Sequence, residues 1–262
     1  MSTKEQSVTL LRKNKEAQVA AFQSVGISGV TVASRASEFG KYIQWAGGLL
    51  DLCVACQRLS DGSKWYFTRE EWDSLTAVNK QKFIKYGLRV RANGHIFVIA
   101  ATDSLDADGN VSFAWGNRVK VTDMTSRNCG TAYNDFAGAQ NTELIISAQA
   151  GTTGNEGVHG VPAAEITRTY KAYTMAQDGY EDNHDWHLPG LGCLIIMYKF
   201  KNEINEAMEF FWSADSKLAA AAYYSSTEYS SEYSFSLSIS SGYISASYKE
   251  TVARVRPVCE ES

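Results

Sequence analysis

The feature that most constrains this fold is a strict alternation of apolar and hydroxyl side chains near the C-terminus. From Ser234 to Ser240 every second residue is apolar, and the residues between are serines. A period of two is typical of a β-strand with one buried face. Ser241-Gly242 then predicts a turn, and Tyr243–Tyr248 is expected to return as a partner strand. The positions predicted to point inwards are Phe235, Leu237, Ile239 and Ile244.

The composition around this strand predicts a binding surface. Tyr223–Tyr248 contains eleven Ser and six of the fourteen Tyr of the chain. Tyr supplies a large rigid contact area and Ser supplies adaptable hydrogen bonds. A solvated Ser-rich hairpin or a low-complexity tail is the alternative, although such tails rarely keep so regular an apolar face. The predicted contact residues are Glu232, Tyr233, Ser236, Ser238, Tyr243, Ser245, Ala246, Ser247, Tyr248, Glu250, Thr251 and Val252.

Four segments carry a family resemblance. SSTEY at Ser225–Tyr229, the Ser241-Gly242-Tyr243 turn, RVRPV at Arg254–Val258 and the stretch Trp186–Met208 resemble the variable proteins of diversity-generating retroelements. The resemblance implies an α+β chain that ends in a C-type-lectin-like domain with two helices and a small antiparallel sheet. It also implies a variable segment over about 223–253, in which mutagenic reverse transcription at adenines yields Ser and Tyr codons.

The function implied by this resemblance is diversified ligand binding. We expect a receptor-binding protein at the tip of a phage or prophage tail fibre, made in the cytoplasm and assembled into the virion. Its ligand would be a variable protein or glycan on a cell surface, and display as a homo-oligomer would multiply weak single-site affinity. The alternative is a structural or adhesion protein of a bacterial cell surface, whose Ser/Tyr-rich face packs against one fixed partner.

Other classes of function receive little support from the sequence. The net charge is −4, so no general basic field favours nucleic acid. We find no signal peptide, phosphate loop, nucleophile elbow or H-E-x-x-H motif, and we predict no catalytic role, no cofactor and no membrane insertion. Formylglycine-generating enzymes are related to the lectin-like family and use a reactive Cys pair. Cys193 lies on an apolar helical face and Cys259 lies near the end of the sequence, so this activity is not expected; detection of an oxidised Cys193–Cys259 pair would favour it.

Two acidic segments and one Cys pair contain residue types that are found in metal sites. Asp103–Asn110 is rich in oxygen ligands but does not fit a calcium loop, and a hairpin turn is favoured. Glu181–His187 contains two His without further ligands at zinc spacing, which favours a structural role. Cys53-Val54-Ala55-Cys56 lies in an apolar run without a second pair, so reduced structural cysteines are expected. No metal site is predicted.

The sequence of the N-terminal region predicts a mixed α+β fold that is used for attachment or oligomerisation. We place it at 1–155, with a polar, Gly-rich boundary over 134–159, and we place the ligand-binding domain at 156–262. Helices are predicted over 4–23, over 36–57 and, from a capping box at Thr68, to about Tyr86. Strands are predicted at 65–67, 88–101 and 111–115, and C-terminal helices at 163–175 and from Pro189 to about Met208.

Overall fold

The computed structural model describes residues 42–45, 48–121, 124, 129–150, 162–172 and 182–261. The chain forms two compact units that divide between Val98 and Ile99. Both units mix helices and sheets, which confirms the α+β class. The helix predicted over 4–23 lies outside the described residues, and the boundary predicted near residue 155 stays a prediction.

The first unit is built on an antiparallel sheet. Its strands run in the order β1, β2, β4, β5, and β3 also pairs with β2. Asn93 and Gly94 both have positive φ, 52° and 80°, and form the tight turn between β4 and β5. The strands are β1 (Tyr42–Trp45), β2 (Gly48–Arg58), β3 (Lys64–Phe67), β4 (Phe83–Ala92) and β5 (His95–Ala100).

Two helix predictions in this unit are wrong. The range 36–57 contains β1 and most of β2, because Leu50–Cys56 is buried on both faces and so resembles a helix core in its composition. The capping box at Thr68 is confirmed, but its helix α1 ends at Ser74. A second Thr cap starts the short helix α2, and β4 begins before the predicted helix end. The two helices are α1 (Arg69–Ser74) and α2 (Ala77–Lys80).

The second unit contains a five-stranded sheet in the order β6, β10, β7, β8, β9. The β10–β7 pair is parallel, and the other pairs are antiparallel. Ala100 already belongs to this unit, and its amide donates to the carbonyl of Pro257, just before β11. The strands are β6 (Ser112–Ala114), β7 (Ala222–Glu228), β8 (Tyr233–Ser238), β9 (Ile244–Tyr248), β10 (Val252–Arg254) and β11 (Val258–Glu260).

The helices of this unit depart from the predictions in two places. The supposed boundary loop over 134–159 contains a twelve-residue helix, and its buried positions follow helical spacing although most of them are polar or Gly: Gly138, Asn141, Thr142, Ile145 and Gln149. The long helix predicted from Pro189 is two helices that meet at Phe200. The helices are α3 (Cys129–Ala132), α4 (Gly138–Gln149), α5 (Ala163–Arg168), α6 (Leu191–Lys199), α7 (Lys201–Phe211) and a 3₁₀ turn (Ala214–Ser216).

Two groups of elements cover the sheet of the second unit. Helix α6 packs against β7 and β8, and α4 packs against β7. Phe113, Trp115 and Tyr224 belong to a buried cluster that also includes residues of α4 and α5. Since hydrophobic burial is the main favourable term in folding, the β7–β8 pair is held on both faces.

A buried ionic network joins the ends of this unit's sequence. Asp103 accepts hydrogen bonds from Arg256 (2.6 Å), Arg254 (2.7 Å) and the hydroxyl of Tyr223 (3.1 Å). Arg256 also donates to the carbonyls of Ala100, Ser216 and Lys217. Burial alone would lower the pKa of Arg256, but the Asp103 carboxylate together with Tyr223 and Tyr170 outweighs it, and the pKa is raised. Asp103 is therefore a structural anchor of the RVRPV segment.

Candidate functional site

The predicted site lies on the hairpin formed by β8 and β9. The register places Tyr233 opposite Tyr248 and Ser236 opposite Ser245. Successive side chains of a strand point to opposite faces of the sheet. The predicted residues of the hairpin therefore divide between two faces, which we call the tyrosine face (Tyr233, Phe235, Leu237, Ile244, Ala246 and Tyr248) and the serine face (Ser234, Ser236, Ser245 and Ser247).

The serine face is largely covered, and this corrects the expectation for Ser236. Ser236 is only 4% exposed, and its hydroxyl is 2.9 Å from that of Ser247. Ser234 is fully buried opposite Glu228. The alternation was predicted correctly, but Tyr224, which lies opposite Ser236 on β7, belongs to a buried cluster that also includes Trp115 and Val121. Ser236 is thus a packing residue and does not offer its hydroxyl to a ligand.

The tyrosine face carries an exposed aromatic group where the apolar core ends. The rings of Tyr233 and Tyr248 lie 4.4 Å apart between centroids. Tyr229 makes edge contacts with Tyr233 at 6.4 Å and with Phe235 at 5.3 Å. Tyr229 and Tyr248 are 42% and 45% exposed, whereas Phe235 is buried. The buried ring of Phe235 therefore connects this exposed aromatic surface to the core.

Arg118 completes this surface from a distant part of the sequence. Its guanidinium lies 4.8 Å from the centroid of the Tyr248 ring, and it donates to Glu250 at 2.7 Å. The hydrogen bond to Glu250 raises the pKa of Arg118, so the group is a permanent cation. The hydrogen bond with Tyr248 raises the pKa of Tyr233. We call Tyr229, Tyr233, Tyr248, Arg118 and Glu250 the aromatic patch.

A fully buried ion pair anchors the strand beneath the aromatic patch. The ammonium of Lys249 donates to Glu228 and to the carbonyl of Val119, both at 2.5 Å, and lies 4.5 Å from the Trp115 ring centroid. Both charged side chains have no exposed surface. The carboxylate of Glu228 also accepts from the amide of Val121. This arrangement holds the segment that carries Arg118 against the end of β9.

The turn end of the hairpin is a separate exposed region. Tyr243 is 71% exposed, and its carbonyl accepts from the amide of Ser238 at 3.0 Å. Gly242 has φ of 76°, and a Cβ there would lie 2.3 Å from the ring of Tyr198. Tyr198 donates to the carbonyl of Ser241. The Gly242 position is consequently fixed by conformation and by packing, while Tyr243 beside it is unconstrained on its outer side.

The remaining predicted residues lie at the rim of the hairpin. Glu232, Ala246, Thr251 and Val252 are exposed, and Ser238, Ser245 and Ser247 are half-buried. Neither Arg118 nor the Lys249–Glu228 pair could be found from sequence patterns. Arg118 lies 132 residues from Glu250, and Lys249 is a lone cation after a strand, which ordinarily indicates a solvated position.

The segments considered as metal or redox sites have structural roles. Asp106 accepts from the amides of Asp108 and Asn110, which closes the predicted turn. Asp182 accepts from the indole of Trp186 and the amide of Ala172, and it lies 2.7 Å from His184 Nδ1. Among the described residues, no group of three or more His, Cys, Asp or Glu side chains is arranged to hold a metal ion.

Four cysteines of the described residues are buried. The structural role expected for Cys53 and Cys56 agrees with their burial, and neither forms a disulfide. Cys193 and Cys259 are buried as well and form no disulfide. Burial raises the pKa of Cys193 to about 12, which disfavours the reactive thiolate.

Comparisons with known proteins give a distant structural similarity and no sequence match. No protein-family model matches the chain, and no curated protein matches its sequence. The chain is similar to a fimbrial protein from Bacteroides ovatus ATCC 8483, with 12% identity and a TM-score of 0.43. The match covers 63% of this chain and 35% of that protein, so the chain spans about a third of that protein's length.

Spanning a bilayer takes a mostly apolar helix of about twenty residues. No helix within the described ranges is both long and apolar enough to do so.

Proposed function

We propose that this protein is a ligand-binding protein whose recognition surface is the aromatic patch together with the exposed turn around Tyr243. The observation that carries this proposal is the exposed ring group at the end of a buried sheet, with Arg118 stacked against it. Tyr and Arg are enriched among the residues that dominate binding energy. The rings are fixed by contacts with Phe235 and with each other, so binding would order few side chains.

The proposal includes a C-type-lectin-like fold and a diversity-generating retroelement as the source of the surface. The mixed sheet, the helix pair α6–α7 and the RVRPV anchor agree with that fold. Diversification requires a surface whose residues can change without loss of stability. Tyr243, Ala246, Tyr248, Thr251 and Val252 meet this requirement, because their side chains are exposed. In this role the protein would be assembled at a phage or prophage tail-fibre tip and would contact a cell-surface protein or glycan.

A second candidate is a structural or adhesion protein of a bacterial surface with one fixed partner. The burial of the hydroxyl-rich strand favours it. Ser225, Ser226, Thr227, Ser234 and Ser236 are all buried. Several of these hydroxyls have internal partners, as in the bond from Thr227 to Asp135 at 2.8 Å. Part of the unusual composition is thus explained by the fold, without any diversifying mechanism.

Gene sequences from sister isolates distinguish the two candidate functions, and the buried serines of the same chain serve as the control positions. Under diversification, substitutions should concentrate at adenine-containing codons of the exposed positions 232, 243, 246, 248, 251 and 252. The buried serines 225, 226, 234 and 236 have the same residue type and should stay constant. Even substitution along the chain, with no adjacent template repeat or reverse transcriptase gene, would exclude diversification and leave the fixed-partner protein.

A further inference from the structure

The outer edge of β9 has the properties of a strand-pairing surface. In the described part of the chain β9 is the last strand of its sheet and pairs only with β8. A sheet edge presents a row of backbone donors and acceptors to any strand that can align with it. The opposite edge strand, β6, has only three residues, whereas β9 has five in regular register with β8.

Backbone hydrogen bonds identify the groups that face outwards. The amide of Ser238 donates to the carbonyl of Tyr243, and the amide of Lys249 donates to the carbonyl of Glu232. In an antiparallel pair, residues that bond to the neighbour alternate with residues that face away. Ser245 and Ser247 therefore bond to β8, and the backbone groups of Ile244, Ala246 and Tyr248 point away from it.

One of these outward-facing backbone groups, the carbonyl of Tyr248, already accepts hydrogen bonds within the chain. The carbonyl of Tyr248 accepts from the hydroxyl of Tyr224 at 3.0 Å and from the amide of Thr251 at 2.9 Å. The amide of Tyr248 and both backbone groups of Ile244 and Ala246 face outwards. These groups have the spacing that an antiparallel partner strand requires.

The edge also lacks the features that prevent pairing. Proteins protect exposed edges with charged side chains, Pro or β-bulges. β9 is Ile-Ser-Ala-Ser-Tyr, with no charge and no Pro, and its five residues pair with β8 without a register shift. Ala246 is exposed at the centre, so its small side chain would not obstruct a neighbouring strand.

We propose that β9 pairs antiparallel with β9 of a second copy of this chain, centred on Ala246. The two Ala246 residues would exchange two backbone hydrogen bonds. The amide of Tyr248 in each copy would donate to the carbonyl of Ile244 in the other. This register sets Ile244 of one copy beside Tyr248 of the other on the tyrosine face, and such aromatic–β-branched pairs stabilise sheets.

A second copy is favoured over a different partner by the charges along the strand. An uncharged strand opposes itself without like charges in contact, and the residues that follow its end include two ion pairs, Arg118 with Glu250 and Lys249 with Glu228. A five-residue contact buries less than the roughly 1,200 Å² of stable interfaces, so we expect a weak dimer. Such a dimer would join two aromatic patches in one continuous sheet.

A cysteine at position 246 tests the register directly. Paired residues of this type have Cα atoms about 5.5 Å apart, which a disulfide can bridge. Under mild oxidation, full-length Ala246→Cys should form a covalent dimer on non-reducing gels. Ser231→Cys is the matched control, because Ser231 is exposed in the β7–β8 turn away from the edge. Equal cross-linking of the two variants would overturn the proposed register.

Sedimentation velocity tests the association without cross-linking. Over about 10 µM to 1 mM the wild-type protein should show a monomer–dimer equilibrium. Ala246→Lys should weaken it at least tenfold, because two ammonium groups would meet at the centre, while Ser231→Lys should leave it unchanged. A wild-type protein that stays monomeric over the whole range would overturn self-pairing. The comparison of isolates tests the proposed function separately, since it does not depend on the oligomeric state.

Discussion

Two ion pairs at the same end of β9 differ in almost every physical respect. Lys249–Glu228 is completely buried and also contacts Trp115 and the carbonyl of Val119. Arg118–Glu250, one residue further along, has side chains that are 46% and 30% exposed. Removing one partner of a buried pair leaves an unpaired charge in a medium of low dielectric constant, whereas an exposed pair is replaced by water. The buried Lys249–Glu228 pair therefore anchors the end of β9, whereas the Arg118–Glu250 pair, one residue further along, belongs to the solvent-exposed surface.

The largest effect is expected from breaking the buried pair. Lys249→Ala leaves the carboxylate of Glu228 buried without its cation, which should lower the free energy of unfolding by about 3–5 kcal/mol. Urea denaturation measures this loss. The double variant Lys249→Met/Glu228→Leu removes both charges and should recover most of the stability. If Lys249→Ala were as stable as the wild type, the anchor role would be wrong.

A bulky side chain should distinguish the covered serine face from the exposed turn. Ser236→Tyr places a ring where the existing side chain is 4% exposed, and overpacking of this kind costs about 1–3 kcal/mol. Tyr243→Ser, the reverse change at a 71% exposed position, should shift stability by less than about 0.5 kcal/mol. Thermal or urea unfolding of both variants tests the contrast. Equal losses would show that the turn is as constrained as the strand.

The exposed pair should respond to salt and leave stability nearly unchanged. Arg118→Ala is expected to unfold at the same urea midpoint as the wild type at physiological ionic strength, because solvent screens the pair. Arg118→Lys serves as the control, since it keeps the charge but not the planar stacking on Tyr248. A large loss in Arg118→Ala alone would place Arg118 among the anchoring residues.

The smallest effect is a change in tyrosine ionisation. The hydrogen bond with Tyr248 raises the pKa of Tyr233, so Tyr233 should stay protonated to a higher pH than a free tyrosine. Tyr248→Phe removes that partner, and the pKa of Tyr233 should fall towards 10. Absorbance at the phenolate wavelength during alkaline titration follows the shift. Tyr243→Phe is the control and should leave the titration of Tyr233 unchanged.

The local features of the fold were predictable and its long-range contacts were not. The β8–β9 hairpin, the Gly242 turn and the Thr68 capping box follow from short-range patterns, and all three are present. The strand β2 was mistaken for a helix because a strand buried on both faces loses its alternation. The covering of Ser236 depends on residues about 120 positions earlier, and no period in the sequence carries that information.

The residues of the aromatic patch were likewise predictable from the sequence only in part. Tyr233 and Tyr248 were expected as contact residues, and the register places them side by side. Arg118 and Tyr229 were not expected, because their positions follow from how segments pack. A strand pattern indicates which residues share a face, but the extent to which other segments cover that face depends on the whole fold.

Two hydrogen bonds at the end of β9 are accepted by main-chain carbonyls of residues whose own side chains are exposed. The hydroxyl of Tyr224 donates to the carbonyls of Tyr248 and Thr251. A mutation at position 248 or 251 changes the outer surface and leaves these carbonyls in place. Side-chain substitution at these two exposed positions therefore need not disturb the backbone contacts that hold the end of β9.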